Sequence, residues 1–194
     1  MDKLRHRACG ILLHATSLPG GHGVGDLGPE ARRFVDFLAE SRQRWWQMLP
    51  IGPIGAAHSP YSSPSSFAGN PWLISLDDLA DDGLLTGKDA AHLERISTDR
   101  VDYPAMMAFK ESRLRKAFSV FMSEGSSEHW RNFRDFLRTH QEWVEDYALF
   151  AALKQRHGKA PWTSWEPVLR QRGFRRWPRE VLRAVGQEST YQQF

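Results

Sequence analysis

Cysteine is nearly absent from this chain, and long apolar runs are missing. Cys9 is the only cysteine in 194 residues, so no disulfide can form within the chain. Residues 1–7 lack the apolar stretch of a signal peptide, and no later run approaches the roughly 18 apolar residues that span a bilayer. These features predict a cytoplasmic protein without a membrane segment.

A strong excess of positive or negative charge is lacking as well. Residues 1–100 hold 10 Lys and Arg against 12 Asp and Glu, and residues 101–194 hold 16 against 11, so the net charge of +3 divides into −2 and +5. The basic residues of the second half are scattered along predicted helices, which is typical of solvated helical faces. This distribution argues against a nucleic-acid-binding protein.

The first fifty residues predict a strand, a helix and a second strand. The apolar run over residues 9–15 does not alternate, which favours a strand covered on both faces, as in a parallel sheet. Residues 29–40 carry an apolar stripe at helical spacing, and Pro29 marks the first turn. Residues 44–49 read as the second strand. The unit predicts a parallel crossover and an α/β fold.

The rest of the chain predicts loops and helices. Residues 52–71 contain five Ser, three Gly and four Pro, and loops of that length are usually functional. Thr139 followed by Glu142 predicts a capping box that opens a helix ending at Gly158. Further helices are predicted over residues 76–80, 88–96 and 104–123, and again after Pro178. Because two strands cannot close a sheet and the pattern at Phe194 is still helical, we expect the chain to be a fragment.

Two motifs suggest chemistries of another kind, dinucleotide binding and metal binding. Residues 23–28, GVGDLG, match a dinucleotide-binding fingerprint. However, seven residues separate them from the first strand, and the second strand does not end in the acidic residue that would bind a ribose hydroxyl. A bend over a cleft, with Asp26 as a turn residue, is the better interpretation. His6, His14 and His22 near Cys9 do not have the spacing of metal ligands, so we expect no metal.

His14 stands at the carboxyl end of the first predicted strand. Parallel-sheet enzymes place active groups at that end, so His14 is a candidate site residue. A hydrogen-bonded structural histidine is the alternative.

The loop over residues 52–71 has chemistry that suits sugars. Hydroxyl and amide groups on a proline-restricted backbone can bond neutral polyols, while the flat ring of Tyr61 can cover an apolar sugar face. The hydroxyl and amide candidates are Ser59, Ser62, Ser63 and Asn70. A rigid Pro/Ser surface loop is the alternative, and composition does not decide between the two.

Several short segments of this sequence resemble the amylomaltase family of 4-alpha-glucanotransferases. They are residues 10–20 (GILLHATSLPG), 25–30 (GDLGPE), 59–61 (SPY) and 67–71 (FAGNP), with weaker matches at residues 101–103, 147–154 and 161–162. The resemblance therefore runs along nearly the whole chain. It implies a partial (β/α)8 TIM barrel, with residues 1–75 as its first two strands and substrate loop. Residues 76–194 would then be a mostly helical inserted subdomain that stops before the third barrel strand.

The resemblance also implies an activity. The family transfers a segment of an alpha-1,4-glucan to the 4-hydroxyl of glucose or another glucan, with retention and without a cofactor. Retention needs two carboxyl groups about 5 Å apart. In this family they lie on later strands, so we expect no catalytic residue before Phe194. The expected partners are alpha-1,4-glucans, maltooligosaccharides and glucose. A glucan-binding module without chemistry and an inactive truncated fragment are the alternatives.

By position, the resemblance implies that Ser59 and Tyr61 lie in the cleft beside the scissile bond. Ala56 and His58 stand where some relatives have Tyr and Asp, which weakens the case for an auxiliary glucan-binding surface. Tyr103, the usual partner position of that surface, is present. We keep Tyr103 as a binding candidate beside the alternative of a buried or helix-capping tyrosine.

Overall fold

The computed structural model describes residues 7–55, 58–91, 100–170 and 179–194. Packing divides the chain into two compact units, Met1–Glu124 and Gly125–Phe194. The expected division after residue 75 concerns a barrel and its insertion, and it stays a prediction.

A pair of short strands opens the first unit. Strand β1, Gly10–Leu12, lies parallel to β2, Trp45–Gln47, and Gly10 is opposite Trp45 in the register. Helix α1, Pro29–Glu40, connects them, with Pro29 in its first turn and Glu30 near its positive end. The predicted parallel strand, helix and strand are confirmed. A Cβ atom at Gly10 would collide with Trp45, so glycine permits the close approach of β1 and β2.

The strands are shorter and more exposed than predicted. Each contains three residues, and the side chain of Leu12 is 60% exposed. The prediction of a strand covered on both faces is wrong for the described residues, because the face that carries Leu12 and Trp45 is exposed. The other face is half-buried: Phe34 of α1 meets Trp46 edge-on at 4.9 Å, and the Trp46 indole donates to the Leu13 carbonyl at 2.6 Å.

Two helices follow the loop in the first unit. Helix α2, Leu76–Asp81, begins where the Ser75 hydroxyl accepts a hydrogen bond from Asp78 N, and helix α3 spans Tyr103–Glu124. Both were predicted. Residues 88–91 form a turn and its exit rather than the start of the predicted helix, because Thr86 and Asp89 bond to each other there. The rest of that predicted helix lies outside the described residues.

Ionisable side chains are buried in the centre of the first unit. Lys110 of α3 is fully buried, and its ammonium donates to the Trp72 carbonyl at 2.7 Å and to Asp26 at 3.3 Å. Asp26 also accepts from Gly28 N at 3.0 Å, as a turn residue does. The buried His22 ring contacts the Ala90 carbonyl at 2.8 Å and lies 3.8 Å from Asp26. This cluster joins the glycine-rich loop to α3.

The second unit is helical. It contains α4 (Ser127–Thr139), α5 (Val144–Arg156), α6 (Pro167–Arg170) and α7 (Arg179–Gln193). Helices α5 and α7 pack against each other around a core of Leu149, Ala152, Leu153, Trp165, Leu169 and Val185. Across the described residues, no helix combines the length and the hydrophobicity that crossing a bilayer requires.

The capping box predicted at Thr139 and Glu142 is wrong. Thr139 is the last residue of α4, and α5 begins at Val144 without a side-chain cap. The observed box lies thirteen residues earlier, where Ser126 and His129 bond to each other's backbone amides. The predicted end of α5 is confirmed, because His157 is its C-cap and Gly158 follows with a φ of 61°.

We predict that His22 makes the stability of the fold depend on pH. Burial alone would lower its pKa, but Asp26, the Ala90 carbonyl and the charge of Asp77 outweigh that effect and, against the charge of Lys110, raise the pKa above 6.5. The stabilisation by protonated His22 is therefore full below pH 6.5 and is lost as the pH rises through the higher folded-state pKa.

The measurement is urea unfolding of the wild-type chain and of His22→Gln from about pH 5 to about pH 8. The difference in unfolding free energy between the two proteins should shrink as the pH rises. A difference that grows with pH, or stays constant, would contradict the assignment.

Candidate functional site

A cavity of about 160 Å³ lies beyond the carboxyl ends of β1 and β2, within the first unit. Its walls come from the segments that follow the two strands and from the first turns of α3. They include His14, Thr16, His58, Asn70, Trp72 and Tyr103. The predicted candidates His14 and Tyr103 therefore face one cavity. Pro60 also lines it, whereas its neighbours Ser59 and Tyr61 do not.

Two imidazole nitrogens at this cavity have no hydrogen-bond partner. The Nδ1 atoms of His14 and His58 are both buried and unpaired among the described residues. Burial lowers the pKa of His14, so its ring is neutral at neutral pH. A buried polar atom without a partner costs free energy, and a ligand hydroxyl that bonds it would recover that cost. The two rings are thus suited to a neutral, hydroxyl-bearing ligand.

His58 and Tyr103 stack on each other. Their ring centroids are 4.3 Å apart and the planes differ by 3°. His58 adopts a left-handed backbone conformation, with a φ of 54°, which is uncommon outside glycine but tolerated by histidine. Tyr103 is the first residue of α3, yet the capping hydrogen bond there comes from Asp102, which accepts from Ala105 N at 3.0 Å. Tyr103 is therefore a half-buried stacking residue rather than a cap.

The loop that carries Ser59 and Tyr61 is tied together by its own serines. The Ser59 hydroxyl accepts from Tyr61 N at 3.3 Å, and the Ser63 hydroxyl donates to the Ser65 carbonyl at 2.7 Å. Ser65 in turn accepts from the amides of Phe67 and Ala68. These bonds fix the backbone and leave the Tyr61 side chain 75% exposed. The sequence prediction required that Tyr61 not be buried, and it is not.

Asn70 is a structural residue of the site. It is buried, its side-chain oxygen accepts from Trp72 N at 3.1 Å, and its backbone amide donates to the Ile51 carbonyl at 2.8 Å. It thereby caps the 3-10 turn Pro71–Leu73 and joins it to the segment after β2. The side-chain oxygen of Asn70, part of a candidate sugar-binding amide, is thus engaged in this turn.

Acidic groups are missing from the described lining. None of the described residues that surround the cavity is Asp or Glu, and Asp26 is engaged by Lys110 and Gly28. Within the described ranges, no three His, Cys, Asp or Glu side chains form a group that could hold a metal ion. The described lining thus offers neutral polar groups and no pair of carboxylates.

Sequence reasoning missed Lys110, His22 and the contact between His58 and Tyr103. Lys110 lies four residues after buried Met106 and four before buried Leu114, so the helical period places it on the inner face. That signal was available in the sequence. Its partners are 38 and 84 residues away, and no local pattern identifies them.

Comparison with known proteins identifies the family. The family model of glycoside hydrolase family 77, described as 4-alpha-glucanotransferase, matches residues 13–192. The chain belongs to this family. It is 45% identical over 188 residues to the 4-alpha-glucanotransferase of Thermus thermophilus and 40% identical over 177 residues to the chloroplastic/amyloplastic enzyme of Solanum tuberosum.

A solved relative of this glucanotransferase family has the same fold over this stretch. It is the amylomaltase of Streptococcus agalactiae in complex with acarbose, with a TM-score of 0.85 and 33% identity over 97% of this chain. The aligned segments cover 97% and 88% of this chain for the Thermus and Solanum relatives. They make up 37% and 30% of those relatives, and 38% of the amylomaltase chain.

We predict that the Asn70 cap stabilises the first unit. Asn70→Ala should lower the free energy of unfolding by about 1 kcal/mol, because Trp72 N loses its acceptor. Asn70→Asp, which keeps an acceptor oxygen, is the control and should lose less. Urea unfolding of the three proteins measures the effect, and an equal loss in both variants would contradict a capping role.

Proposed function

We propose that this chain forms one wall of the glucan-binding cleft of a 4-alpha-glucanotransferase. The reaction would transfer a segment of an alpha-1,4-glucan to the 4-hydroxyl of glucose or another glucan, with retention of configuration. The proposal rests on the cavity at the carboxyl ends of the parallel strands, where two imidazole nitrogens are unpaired among the described residues and the exposed Tyr61 loop lies beside them. Family membership and the related structure with acarbose support the proposal.

The proposal includes the architecture of the whole enzyme. Strand β1, helix α1 and strand β2 would be the start of a (β/α)8 barrel, and residues 76–194 a helical insertion. Support comes from the parallel pairing and from the likeness to 38% of the amylomaltase chain. In such barrels the active site lies at the carboxyl ends of the strands, which is the end where the cavity is found.

Each candidate residue has a role in this proposal. The Tyr61 ring, exposed on a fixed backbone, would cover the apolar face of a glucosyl unit. Ser59 would hold that backbone and border the cleft. His14 would bond a sugar hydroxyl through its unpaired nitrogen, and Tyr103 would add a ring edge beside His58. We propose no auxiliary glucan-binding surface, because Ala56 and His58 stand where some relatives have Tyr and Asp.

Bond cleavage would use carboxyl groups that the described lining of the cavity does not contain. A retaining enzyme needs a nucleophile and an acid/base about 5 Å apart. The described cavity lining has neither, so we assign both to polypeptide after Phe194. Exclusion of water from the covalent intermediate would favour transfer over hydrolysis. We propose no cofactor, maltooligosaccharides and glucose as partners, and the cytoplasm as the location.

A second function is a glucan-binding module without chemistry. The missing carboxylates in the described lining favour it for the 194 residues taken alone. Glucan binding without transfer by the full-length gene product would support the module. Transfer by that product would exclude it.

We predict that the Tyr61 ring contributes to glucan affinity. In the full-length gene product, Tyr61→Ala should lower kcat/KM for maltotriose at least about tenfold, which is about 1.4 kcal/mol of transition-state binding. Tyr61→Phe keeps the ring and should stay within about threefold of wild type. Trp162→Ala, which removes a 53% exposed aromatic side chain from the second unit, is the control. Equal kinetics for Tyr61→Ala and wild type would refute the role.

We also predict a separation of binding from cleavage. The full-length gene product should convert maltotriose to glucose and longer oligosaccharides without increasing the number of reducing ends, because transfer conserves them. A polypeptide of residues 1–194 should release no glucose from maltotriose, since we assign the carboxylate pair to polypeptide outside it. Measurable turnover by that polypeptide would overturn the role assignment.

A further inference from the structure

We propose that Lys110 is a positioning residue for glucan binding. Its ammonium would hold the Trp72 wall of the cavity in place and thereby set the affinity for glucan, although Lys110 itself does not line the cavity. The inference rests on the proposed function and deepens it. It concerns the part of the site that faces away from the ligand.

The ammonium and the cavity wall are directly bonded. Lys110 Nζ donates to the Trp72 carbonyl at 2.7 Å, and Trp72 lines the cavity with its side chain 92% removed from solvent. Met106, one helical turn before Lys110, lines the same cavity and is fully buried. Helix α3 therefore supplies one residue of the cavity wall, Met106, and the hydrogen bond from Lys110 that fixes another, Trp72.

The opposite end of the wall is fixed independently. Asn70 accepts from Trp72 N and donates to the Ile51 carbonyl, which ties the turn to the segment after β2. The turn is also bonded to the glycine-rich loop, where Leu27 N donates to the Leu73 carbonyl at 3.0 Å. Loss of the Lys110 bond would free the Trp72 carbonyl from α3 and leave the other two attachments intact. The wall would shift while the fold persists.

Asp26 serves the same arrangement from the other side of the ammonium. Its carboxylate lies 3.3 Å from Lys110 Nζ and is itself held by Gly28 N at 3.0 Å. A buried ammonium needs a compensating charge, and removal of one partner strands the other. Stability and positioning therefore depend on different contacts: the charge pair with Asp26 and the hydrogen bond to Trp72.

This difference allows the two roles to be separated. Lys110→Met keeps the length of the side chain but removes the ammonium from the buried Asp26, which is left with the His22 ring, 3.8 Å away, as a weaker basic neighbour. Lys110→Met combined with Asp26→Asn removes the stranded charge, and it should regain stability without regaining the bond to Trp72. Lys116→Met is the matched control, because Lys116 lies on the same helix in an exposed ion pair with Asp89 at 2.7 Å.

The experiment measures kcat and KM for maltotriose in the full-length gene product, well below the unfolding temperature of each variant. The single and the double Lys110 variants should both raise KM at least about fivefold, with kcat within about twofold of wild type. Lys116→Met should change neither constant. A role in stability alone would reduce the active fraction, and so the apparent kcat, at constant KM.

Three results would overturn the proposal. The first is a wild-type KM in the double variant, and the second is a lowered kcat at constant KM in the variant that folds. If Lys110→Met fails to fold, the double variant decides. The third is a wild-type protein that neither transfers nor binds maltotriose, in which case the proposed function fails and this inference falls with it. Wild-type transfer with an unchanged KM in the variants removes the positioning role alone.

Discussion

The buried ammonium of Lys110 is the constraint on which the first unit depends. An unpaired charge in a protein interior costs several kcal/mol, so a fully buried lysine requires partners already in place. Burial lowers the pKa of Lys110, while the carboxylate of Asp26 opposes that shift. Removing one partner of such a pair typically costs about 3–5 kcal/mol. Since Asp26 and Trp72 lie on different loops, satisfying this one group fixes both loops against α3.

That constraint explains why the glycine-rich loop has its sequence. Asp26 must reach Lys110 while its other oxygen accepts from Gly28 N, and the loop must lie close to the turn at Ala15. A Cβ atom at Gly25 would collide with the carbonyls of Ala15 and Leu18, so only glycine permits this approach. The G-x-G-x-x-G spacing is therefore a consequence of packing around a buried carboxylate. In a dinucleotide-binding fold, a similar glycine motif would bind a phosphate group.

Local signals were predicted well and distant partners were not. Helix α1 matches its predicted bounds, because Pro29 and the apolar stripe act within the segment itself. The strands are shorter than their apolar runs, since hydrophobicity does not encode how many residues have a neighbour to pair with. The capping box failed because Thr139 already ends a helix, whereas the true box uses His129 in place of Glu. His14 was a candidate from its place at the strand end and Tyr103 from the family resemblance, and the structure brings the two to one cavity. The stacking of His58 on Tyr103 depends on the left-handed backbone conformation of His58, which no local sequence pattern predicts.

The division of labour within the site follows from which polar groups are already engaged. The serines of the loop and the Asn70 side chain spend their hydrogen bonds on the backbone, which lowers the entropy that ligand binding would otherwise cost. The two histidines keep one nitrogen unpaired, so free energy lost on folding is available to a ligand. A neutral sugar can supply that bond without bringing a charge into the cavity. A carboxylate beside the His14 ring would raise the pKa of that ring and favour its charged form, whereas burial favours the neutral form. A neutral imidazole and an ionised carboxylate therefore require different surroundings.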